Sequence, residues 1–482
     1  MKTTGQVTNM TPQQQLQDLS AILRSMKAFH LQHGPATAQV RRDRLMRSAN
    51  LIRENYARLT TAISDDFGHR SGYQTMAADL ITTINMLTHS AENLEQWMQP
   101  EVAAVPVDGM QAWTEPQPLG VVGIISPWNF PINLAFGPLA GVFAAGNTAM
   151  LKPSELTPRT SELLAELVPR YFSPNELTVV LGDADTGQAF SRLPFDHLVF
   201  TGSTAVGRHV MRAAAENLVP VTLELGGKSP VVVDVDADPV VAAERTLTIK
   251  TFNAGQICIS PDYVLLPEQL ESAFVAAAQA FVGKTFPTLQ SNEDYTSVIN
   301  ERHFLRLVNL LEDARSKGAR VISLAPGNEP AFDNQSRKIA PHIILDVTEE
   351  MLVMQEEIFG PLLPVKTYAA DVSEAIRYIN AGPRPLAVYY FGHDAERQKQ
   401  LRSHTTSGAL VINDVMTHAS IDSLPFGGVG ASGTGAYHGV HGFRRFSHAK
   451  PVVVQESAGH SNLRLRAPYQ DKVIAAEAFL KN

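Results

Sequence analysis

The stretch HLVFTGSTAVG, residues 197–207, is the most informative part of this chain about its fold. It begins with the apolar run His197–Phe200, turns tightly at Gly202 and Ser203, and leads into a helix candidate, Val206–Asn217. A strand that enters a helix through such a turn directs backbone N–H groups and a helix N-terminus toward a ligand, which suits a pyrophosphate. The stretch therefore predicts a strand–turn–helix unit of an α/β fold.

The turn follows neither of two common phosphate-binding patterns. Its glycines, Gly202 and Gly207, are not spaced as in the dinucleotide fingerprint, and Arg208 stands where a P-loop has Lys followed by Ser or Thr. A literal G-x-G-x-x-G spans Gly428–Gly433. No convincing strand precedes that second stretch and no capped helix follows it, so we predict a loop there rather than a cofactor site.

Strands and helices alternate on both sides of this unit. Continuous apolar runs are typical of strands in a parallel sheet covered on both faces, and helix candidates such as Arg159–Tyr171 separate them. The sequence predicts a doubly wound α/β domain, and a second α/β stretch begins after Asp234 with a helix capped by Asp238. The further predicted strands are Val121–Ile125, Ala149–Lys152, Leu177–Leu181, Val221–Leu225 and Val231–Val235.

The first hundred residues are predicted to be helical. Thr11 and Pro12 suit a helix start, and leucines recur at helical spacing after them. A second helix is predicted from about Thr37 to Ile63, with a buried stripe that includes Tyr56. A group of arginines on this helix is predicted to form a solvated face: Arg41, Arg42, Arg44 and Arg47.

Length, charge and cysteine content exclude several classes of protein. A chain of 482 residues is too long for one core and predicts two or three domains. The formal net charge of −8 gives no reason to expect nucleic acid, and a single cysteine forms no internal disulfide. Met1–Thr11 is polar rather than signal-like, and the apolar stretch Leu134–Gly146 is broken by glycine and proline. We expect a cytoplasmic protein without a membrane anchor.

Cys258 lies in the sequence FNAGQIC, residues 252–258. A lone cysteine is usually a small buried hydrophobe. This one follows a predicted helix end at Asn253–Gly255, so its backbone N–H is free to face a ligand. Its thiolate would be a competent nucleophile if the pKa of the thiol were lowered.

Glu224 interrupts an apolar strand and precedes two glycines, at the edge where parallel sheets place their sites. One interpretation is a carboxylate that is solvated or paired with Lys228. The other is a partly buried carboxyl group whose raised pKa suits a general base.

Asn129 lies in the sequence PWNFP, residues 127–131, where two prolines fix a turn after a strand. Its amide either bonds to its own backbone or donates to a developing oxyanion.

Other polar groups have two interpretations each. Lys152 and Glu155, in KPSE, either hold ribose hydroxyls or form a surface ion pair. His438 and His441 suggest a metal, but no carboxylate or thiol accompanies them at ligand spacing, so we predict no metal site.

In this order, the motifs resemble the aldehyde dehydrogenase superfamily over roughly residues 110–450. The stretch CISPDYV after the cysteine and the glycine-rich C-terminal motifs are similar to the class 3 branch. Within that branch, the chain is similar to bacterial enzymes that act on coniferyl aldehyde. The motifs that carry the resemblance are Pro127–Pro131, Lys152–Glu155, Phe200–Thr204, Leu223–Lys228, Gly255–Cys258 and Glu356–Pro361.

The resemblance implies a role for each matching residue. Cys258 would be the nucleophile, Glu224 would activate the deacylating water, and Asn129 would form the oxyanion hole with the Cys258 backbone N–H. The implied cofactor is NAD, with NADP as an alternative, and Glu155 should repel the 2′-phosphate of NADP. The implied cofactor-binding residues are Trp128, Lys152, Glu155, Gly202, Ser203, Gly207, Glu357 and Phe359.

The resemblance also implies an aldehyde dehydrogenase-like α/β fold with two doubly wound parallel-sheet domains and a small β oligomerisation element. The predicted parts are an N-terminal helical part of the cofactor domain (1–100), oligomerisation strands (101–118), an NAD(P)-binding domain (119–225), a catalytic domain (226–425), and a return to the cofactor domain with an oligomerisation tail (426–482). The expected assembly is a homodimer.

The implied activity is NAD(P)-dependent oxidation of an aldehyde to its carboxylic acid through a thiohemiacetal and a thioester on Cys258. An aromatic aldehyde such as coniferyl aldehyde, giving ferulate, is the expected substrate. A medium- or long-chain aliphatic aldehyde is the first alternative. A coenzyme A-acylating dehydrogenase and a non-catalytic binding protein are the others.

Overall fold

The computed structural model describes residues 12–105, 109–369, 371–459 and 462–481. Met1–Thr11, including the predicted helix start at Thr11, lies outside the described residues. The described chain contains two large, mainly parallel sheets covered by helices, and a smaller antiparallel sheet.

The first large sheet contains five predicted strands and one short edge strand, Gly433–Thr434, which lies in the glycine-rich stretch predicted to be a loop. Its order is β17-β7-β6-β3-β4-β5, and all neighbours pair in parallel except the edge strand β17, which runs antiparallel to β7. The strands are β3 (Val121–Ile125), β4 (Thr148–Lys152), β5 (Leu177–Val179), β6 (His197–Gly202), β7 (Val221–Leu225) and β17 (Gly433–Thr434).

Helices cover both faces of this sheet, as continuous apolar strands require. One face packs against helices α1 (Pro12–His33), α8 (Ala184–Ser191) and α9 (Thr204–Ala215), with Leu19, Leu23 and Met26 buried. The other face packs against α2 (Ala38–Glu54), α3 (Tyr56–Phe67), α5 (Thr82–Trp97), α6 (Asn133–Ala144), α7 (Pro158–Tyr171) and α16 (Gly439–Arg445). Between α3 and α5 lie a short helix, α4 (Gly72–Gln74), and a π-helix, Thr75–Ile81.

The single helix predicted from Thr37 to Ile63 is wrong, because α2 ends at Glu54 and α3 begins at Tyr56. Asn55 breaks the helix: its side-chain amide donates to the Leu51 carbonyl at 2.8 Å and to the Tyr171 hydroxyl at 3.1 Å. Tyr56, expected on the buried stripe, is 55% exposed.

The predicted solvated arginine face is wrong for Arg41 and Arg44, whereas Arg42 and Arg47 are partly exposed. Arg41 and Arg44 are buried, at 3% and 5% exposure. Arg41 donates to the Ala144 carbonyl at the end of α6, and Arg44 donates to the Asn147 carbonyl and pairs with Glu176 at 3.1 Å. These guanidinium groups satisfy backbone carbonyls between elements, a need that the sequence of α2 alone does not reveal.

The second large sheet has the order β10-β13-β14-β9-β8-β15-β16, and it is parallel except for the edge strand β10. Its strands are β8 (Ser229–Val233), β9 (Pro261–Pro267), β10 (Arg320–Ser323), β13 (His342–Leu345), β14 (Leu362–Tyr368), β15 (Ala387–Phe391) and β16 (Ala409–Ile412). Its helices are α10 (Pro239–Thr251), α11 (Glu268–Thr285), α12 (Glu301–Ser316), α13 (Leu352–Gln355), α14 (Val372–Ala381) and α15 (Ala395–His404). Asp238 caps α10 as predicted, accepting from the Val240 N–H.

The smaller sheet joins distant parts of the chain. Strands β1 (Glu101–Val102), β2 (Met110–Pro118) and β18 (Ser447–Gln455) pair antiparallel. The remaining elements are a small hairpin, β11 (Phe332–Asp333) and β12 (Lys338–Ile339), single 3-10 turns at Phe252–Gly255, Thr417–Ser420 and Leu463–Leu465, and the tail helix α17 (Gln470–Leu480). The predicted domain limits stay predictions. Among the described helices, none is long and apolar enough to cross a membrane.

Candidate active site

Most of the predicted site residues surround one cavity of about 220 Å³ between the two large sheets. Strands β3, β6 and β7 run in the same direction, so the residues at their carboxyl ends meet at one edge of the sheet. The loop that contains Cys258, residues 252–258, enters the same cavity from the second sheet. The predicted residues that line it are Trp128, Asn129, Gly202, Ser203, Glu224, Cys258, Glu357 and Phe359.

Cys258 follows a tight left-handed turn after α10. Asn253, Ala254 and Gly255 have φ angles of 49°, 51° and 70°. A side chain at Gly255 would collide with the Gly360 carbonyl, so this position requires glycine. The turn places the half-buried Cys258 at the cavity.

The thiol of Cys258 does not have the lowered pKa that a resting thiolate requires. Burial, together with the nearby charges of Glu357 and Glu224, raises the pKa of Cys258 to about 12. In this structure the group is therefore a thiol at neutral pH, and it needs a base before it can act as a nucleophile.

Glu224 is buried in the middle of the cavity wall. It lies on β7 opposite Thr201 of β6 and Gly433 of β17. Neither carboxyl oxygen has a hydrogen-bond partner among the residues that the structure describes. Burial raises the pKa of Glu224 well above its usual range.

The alternative of a Glu224–Lys228 pair is wrong. Lys228 instead bonds to Asp262 and to the main-chain carbonyls of Val353 and Glu356. Glu224 thus keeps an unpaired carboxyl group beside the thiol.

The loop Gly428–Gly433 supports the strand that carries Glu224. The Leu225 N–H donates to the Ser432 carbonyl at 3.0 Å, and Gly433 pairs with Glu224.

Asn129 projects its amide toward the loop that contains Cys258. Its Nδ2 donates to the Gln256 carbonyl at 3.2 Å, so the alternative of a bond to its own backbone is wrong. The Asn129 carbonyl accepts from Arg70 at 2.9 Å and from Asn253 at 3.2 Å. These contacts fix the turn and leave a second amide N–H for a ligand.

Glu357 lies across the cavity from the first sheet. A side chain at Gly226 would collide with its carboxyl group, so Gly226 makes room for Glu357. Burial and the charge of Asp262 raise the pKa of Glu357 to about 8. Its Oε1 also lacks a hydrogen-bond partner within the described ranges.

Aromatic rings line the remaining wall. Trp128 and Phe359 meet edge to face with ring centroids 5.4 Å apart, and His303 lies 5.3 Å from Trp128. His303 and Arg306, both on α12, also line the cavity. Sequence reasoning missed these two residues because they lie on an ordinary amphipathic helix and no motif surrounds them.

Three predicted cofactor residues lie outside this cavity. Lys152 is buried, and its Nζ donates to Glu155 and to the Pro153 carbonyl, each at 3.1 Å. The predicted surface ion pair therefore has one buried and one exposed member. Gly207 lies on α9, where a side chain would press on Leu225 at 2.6 Å. Ser203, in contrast, lines the cavity, and it caps α9 by accepting from the Val206 N–H.

A second cavity of about 330 Å³ opens on the other side of Cys258. Its walls are mainly apolar and include Phe130, Leu134 and Ile257. Phe426 is stacked between His438, at 5.1 Å, and His418, at 6.0 Å. This aromatic group was not predicted, because its members are separated in sequence and only their contacts in the fold bring the rings together.

His438 is neutral in this position. It is 8% exposed, and burial lowers its pKa to about 3. Its Nδ1 has no partner within the part of the chain that the structure describes. In residues 12–105, 109–369, 371–459 and 462–481, no group of three or more His, Cys, Asp or Glu side chains is placed to hold a metal ion.

Comparison with known proteins gives concordant matches. The model of the aldehyde dehydrogenase family matches residues 2–452. The chain is 58% identical to a coniferyl aldehyde dehydrogenase of Pseudomonas sp. (strain HR199) over 95% of each chain. It is 39% identical to aldehyde dehydrogenase family 3 member A2 of Pongo abelii, covering 89% of this chain and 87% of that one.

Solved structures give the same result. The substrate-bound state of Staphylococcus aureus AldH has a TM-score of 0.89 at 34% identity, covering 95% of this chain and 99% of that one. An indole-3-acetaldehyde dehydrogenase of P. syringae in complex with NAD+ has a TM-score of 0.82 at 25% identity, covering 92% and 89%. The resemblance predicted from the motifs and the predicted fold are confirmed.

Proposed function

Because the chain belongs to the aldehyde dehydrogenase family, we propose that it uses NAD to oxidise an aromatic aldehyde to its acid through a thioester on Cys258. The observation that carries the proposal is the position of Cys258 between two different cavities. One cavity brings together Glu224, Asn129 and Glu357, and the other has apolar and aromatic walls. Membership of the family supports an NAD(P)-dependent aldehyde dehydrogenase, and the mechanism and substrate are our inferences.

The first step is attack of the Cys258 sulfur on the aldehyde carbon. A carbon–sulfur bond forms, the carbonyl oxygen gains negative charge, and the thiol proton must leave. Glu224 and Glu357 are the carboxyl groups whose charges act on this thiol. Burial raises the pKa of each group, so the ionised form of either one is a stronger base than an ordinary carboxylate and suits proton transfer from a thiol of high pKa.

Asn129 stabilises the oxyanion in this proposal. Its Nδ2 holds one N–H on the Gln256 carbonyl and has a second N–H to donate. The Cys258 backbone N–H is the second proposed donor. A single donor of this kind is typically worth about 2.7–4 kcal/mol in the transition state.

The first cavity fits a nicotinamide cofactor. Glu357 Oε1 and Thr201 Oγ1 are buried there without partners in the described part of the chain, as hydroxyl-binding groups would be before a ligand arrives. Gly202 and Ser203 precede the N-terminus of α9, which suits a pyrophosphate, and Trp128 and Phe359 offer ring faces. Bound there, the cofactor supplies the acceptor for the aldehyde hydride.

Lys152 and Glu155 are proposed to bind the adenine-side ribose. Lys152 holds Glu155 at 3.1 Å, and the Glu155 carboxylate is partly exposed, at 42%. A carboxylate there repels the 2′-phosphate of NADP, so we propose NAD as the preferred cofactor.

Glu224 completes the reaction by removing a proton from water. The water oxygen bonds to the thioester carbon, the carbon–sulfur bond breaks, and the acid leaves. An unpaired buried carboxyl group beside the sulfur suits this role, and general-base catalysis is typically worth about 10²–10⁴-fold.

An aromatic substrate fits the second cavity. Phe426 and His438 form a flat wall, and the His438 ring nitrogen offers a hydrogen bond to a polar ring substituent. The similarity to a coniferyl aldehyde dehydrogenase at 58% identity supports the same substrate. The apolar lining favours a medium- or long-chain aliphatic aldehyde as the second candidate.

The test is a substrate panel of coniferyl aldehyde, benzaldehyde and decanal, each with NAD and with NADP. We expect the highest kcat/KM with coniferyl aldehyde and NAD. A higher kcat/KM with decanal would contradict the aromatic assignment, and a preference for NADP would contradict the cofactor assignment. Glu155→Gln should raise kcat/KM with NADP relative to NAD.

We further propose a homodimer that forms through the β1-β2-β18 sheet. Val453 and Val454 of β18 are exposed there, at 60% and 48%. Light scattering on the purified protein should give twice the mass of one chain, and the mass of one or four chains would contradict the proposal.

A further inference from the structure

We propose that Arg70, Gln74 and Asp79 are positioning residues that hold two loops in place. The loops are Asn129–Asn133, which contains the proposed oxyanion donor, and Asn253–Cys258, which contains the proposed nucleophile; we call them the oxyanion loop and the nucleophile loop. This inference rests on the proposed roles of Asn129 and Cys258. The three side chains come from one short segment, α4 and its flanking residues, and none of them lines the first cavity.

Arg70 and Asp79 form an ion pair that is fully enclosed. Both side chains are 0% exposed, and Arg70 Nη1 lies 3.4 Å from Asp79 Oδ2. The Arg70 guanidinium also lies over the rings of Phe67, at 5.2 Å, and Phe130, at 4.8 Å. Phe130 directly follows Asn129, so the pair is packed against the oxyanion loop.

The two members of the pair hold opposite ends of that loop. Arg70 Nη1 donates to the Asn129 carbonyl at 2.9 Å. Asp79 Oδ1 accepts from the N–H groups of Ile132 and Asn133, at 3.0 and 2.6 Å, where α6 begins. A carboxylate at a helix N-terminus also interacts favourably with the helix dipole. The turn from Asn129 to Asn133 is thereby fixed at both ends by side chains.

Gln74 holds the nucleophile loop in the same way. Its Oε1 accepts from the Asn253 backbone N–H at 2.9 Å, within the left-handed turn that leads to Cys258. Its Nε2 donates to the Asp294 carbonyl at 3.0 Å, which anchors the amide. Asn253 in turn donates to the Asn129 carbonyl at 3.2 Å, and this bond links the two loops directly.

The energetics favour a positioning role over stabilisation alone. A buried ion pair is often no more stabilising than an apolar replacement, because both charges lose their hydration. Burial raises the pKa of Asp79 to about 6 even beside Arg70, which shows how unfavourable the site is for charge. The pair instead fixes the position of the oxyanion loop, since each of its hydrogen bonds is made with a main-chain atom of that loop. Misplacing a catalytic group by about 1 Å can cost roughly 10²-fold in rate.

The experiment compares Arg70→Lys, Gln74→Met and Asp79→Asn with wild type. Cys258 is the only cysteine, so alkylation with iodoacetamide, counted by mass spectrometry, gives the concentration of reactive thiol, and far-UV circular dichroism of the same preparation verifies that the chains are folded. We expect kcat per titrated thiol to fall roughly 10- to 100-fold in Arg70→Lys and Gln74→Met, with KM within about threefold of wild type. Asp79→Asn keeps an acceptor oxygen and should show a smaller loss of kcat. If Arg70→Lys fails to fold, this variant tests the same ion pair in its place.

A matched control is the ion pair Arg44–Glu176, which also includes a buried arginine but contacts neither catalytic loop. Arg44→Lys should lower Tm and leave kcat per titrated thiol unchanged. If Arg70→Lys behaves like Arg44→Lys, the segment is only structural and the proposal is overturned.

A double-mutant cycle with Asn129→Ala separates this inference from the proposed function. In the Asn129→Ala background, Arg70→Lys should cause little further loss of kcat, because its effect passes through the Asn129 amide. Full additivity would overturn the positioning role. An unchanged kcat in Asn129→Ala alone would instead overturn the proposed oxyanion role.

Discussion

The two cavities that meet at Cys258 differ in chemistry. The first, of about 220 Å³, contains two buried carboxyl groups, Glu224 and Glu357, with unpaired oxygens. The second, of about 330 Å³, is walled by aliphatic and aromatic side chains and contains a neutral imidazole, His438. Unpaired buried carboxyl groups destabilise a fold, so their concentration on one side of the sulfur indicates where the chemistry takes place.

The difference also explains the unreactive state of the thiol. Both carboxyl groups and the burial of the sulfur raise the pKa of Cys258. In the proposed mechanism, the polar side raises the pKa of the thiol and also supplies the bases that accept its proton, while the apolar side binds the rest of the substrate. Changes on the polar side should alter kcat, and changes on the apolar side should alter the choice of substrate.

The largest effect is expected where the two cavities meet. Cys258→Ala should lower kcat by at least about 10⁴-fold, because no other thiol exists in the chain to form the thioester. NAD binding, measured by calorimetry, should stay within about threefold of wild type. Substantial turnover in this variant would show that the reaction does not pass through a thioester on Cys258.

Glu224→Gln should give the next largest effect, about 10²–10⁴-fold on steady-state turnover. The amide cannot remove a proton from water, whereas Glu357 remains to accept the thiol proton, so the thioester should form and accumulate. Stopped-flow absorbance should show a burst of reduced cofactor equal to the titrated thiol, followed by slow turnover. A steady-state turnover equal to that of wild type would show that Glu224 is not the base that activates the deacylating water.

Glu357→Gln should change how thiol reactivity depends on pH. The pKa of Glu357 is about 8, so this carboxyl group is neutral below that pH and negatively charged above it. Its charge opposes ionisation of Cys258, so in wild type the alkylation rate should rise nearly tenfold per pH unit up to about pH 7.5 and less steeply beyond pH 8.

In Glu357→Gln the steep rise should continue, making the variant about three- to tenfold faster at pH 9 and equal to wild type at pH 6. The measurement is the rate of iodoacetamide labelling without cofactor. Parallel pH profiles would show that Glu357 does not act on the thiol.

His438→Phe should give the smallest effect, and only on the apolar side. The ring stack with Phe426 is kept while the unpartnered nitrogen is lost. We expect kcat/KM to fall several-fold for coniferyl aldehyde, by an amount typical of one hydrogen bond, and to stay unchanged for decanal. An equal fall for both aldehydes would argue against selection by His438.

The sequence predicted the parallel strands of the first sheet, but not its short edge strand β17, and most residues around the first cavity. It could do so because continuous apolar runs and turn residues are local signals, and the motifs at strand ends mark one edge of a parallel sheet. The roles of Cys258, Glu224 and Asn129 stay proposals, although the structure places all three together.

What the sequence could not predict depends on distant partners. Asn55 ends α2 through a contact with Tyr171, and Arg41 and Arg44 are buried because they meet carbonyls near Ala144 and Asn147. The role of Arg70 and Gln74 cannot be predicted from their local sequence, because they contact Asn129 and Asn253, which are distant in the chain. The pKa of Cys258 likewise depends on carboxyl groups far away in the chain.

The most direct test of the central claim is to trap the thioester. Glu224→Gln, mixed with coniferyl aldehyde and NAD and quenched in acid within the burst, should carry the acyl group on the peptide that contains Cys258, with a mass increase that hydroxylamine removes. A burst of reduced cofactor without any adduct on that peptide would contradict covalent catalysis by Cys258.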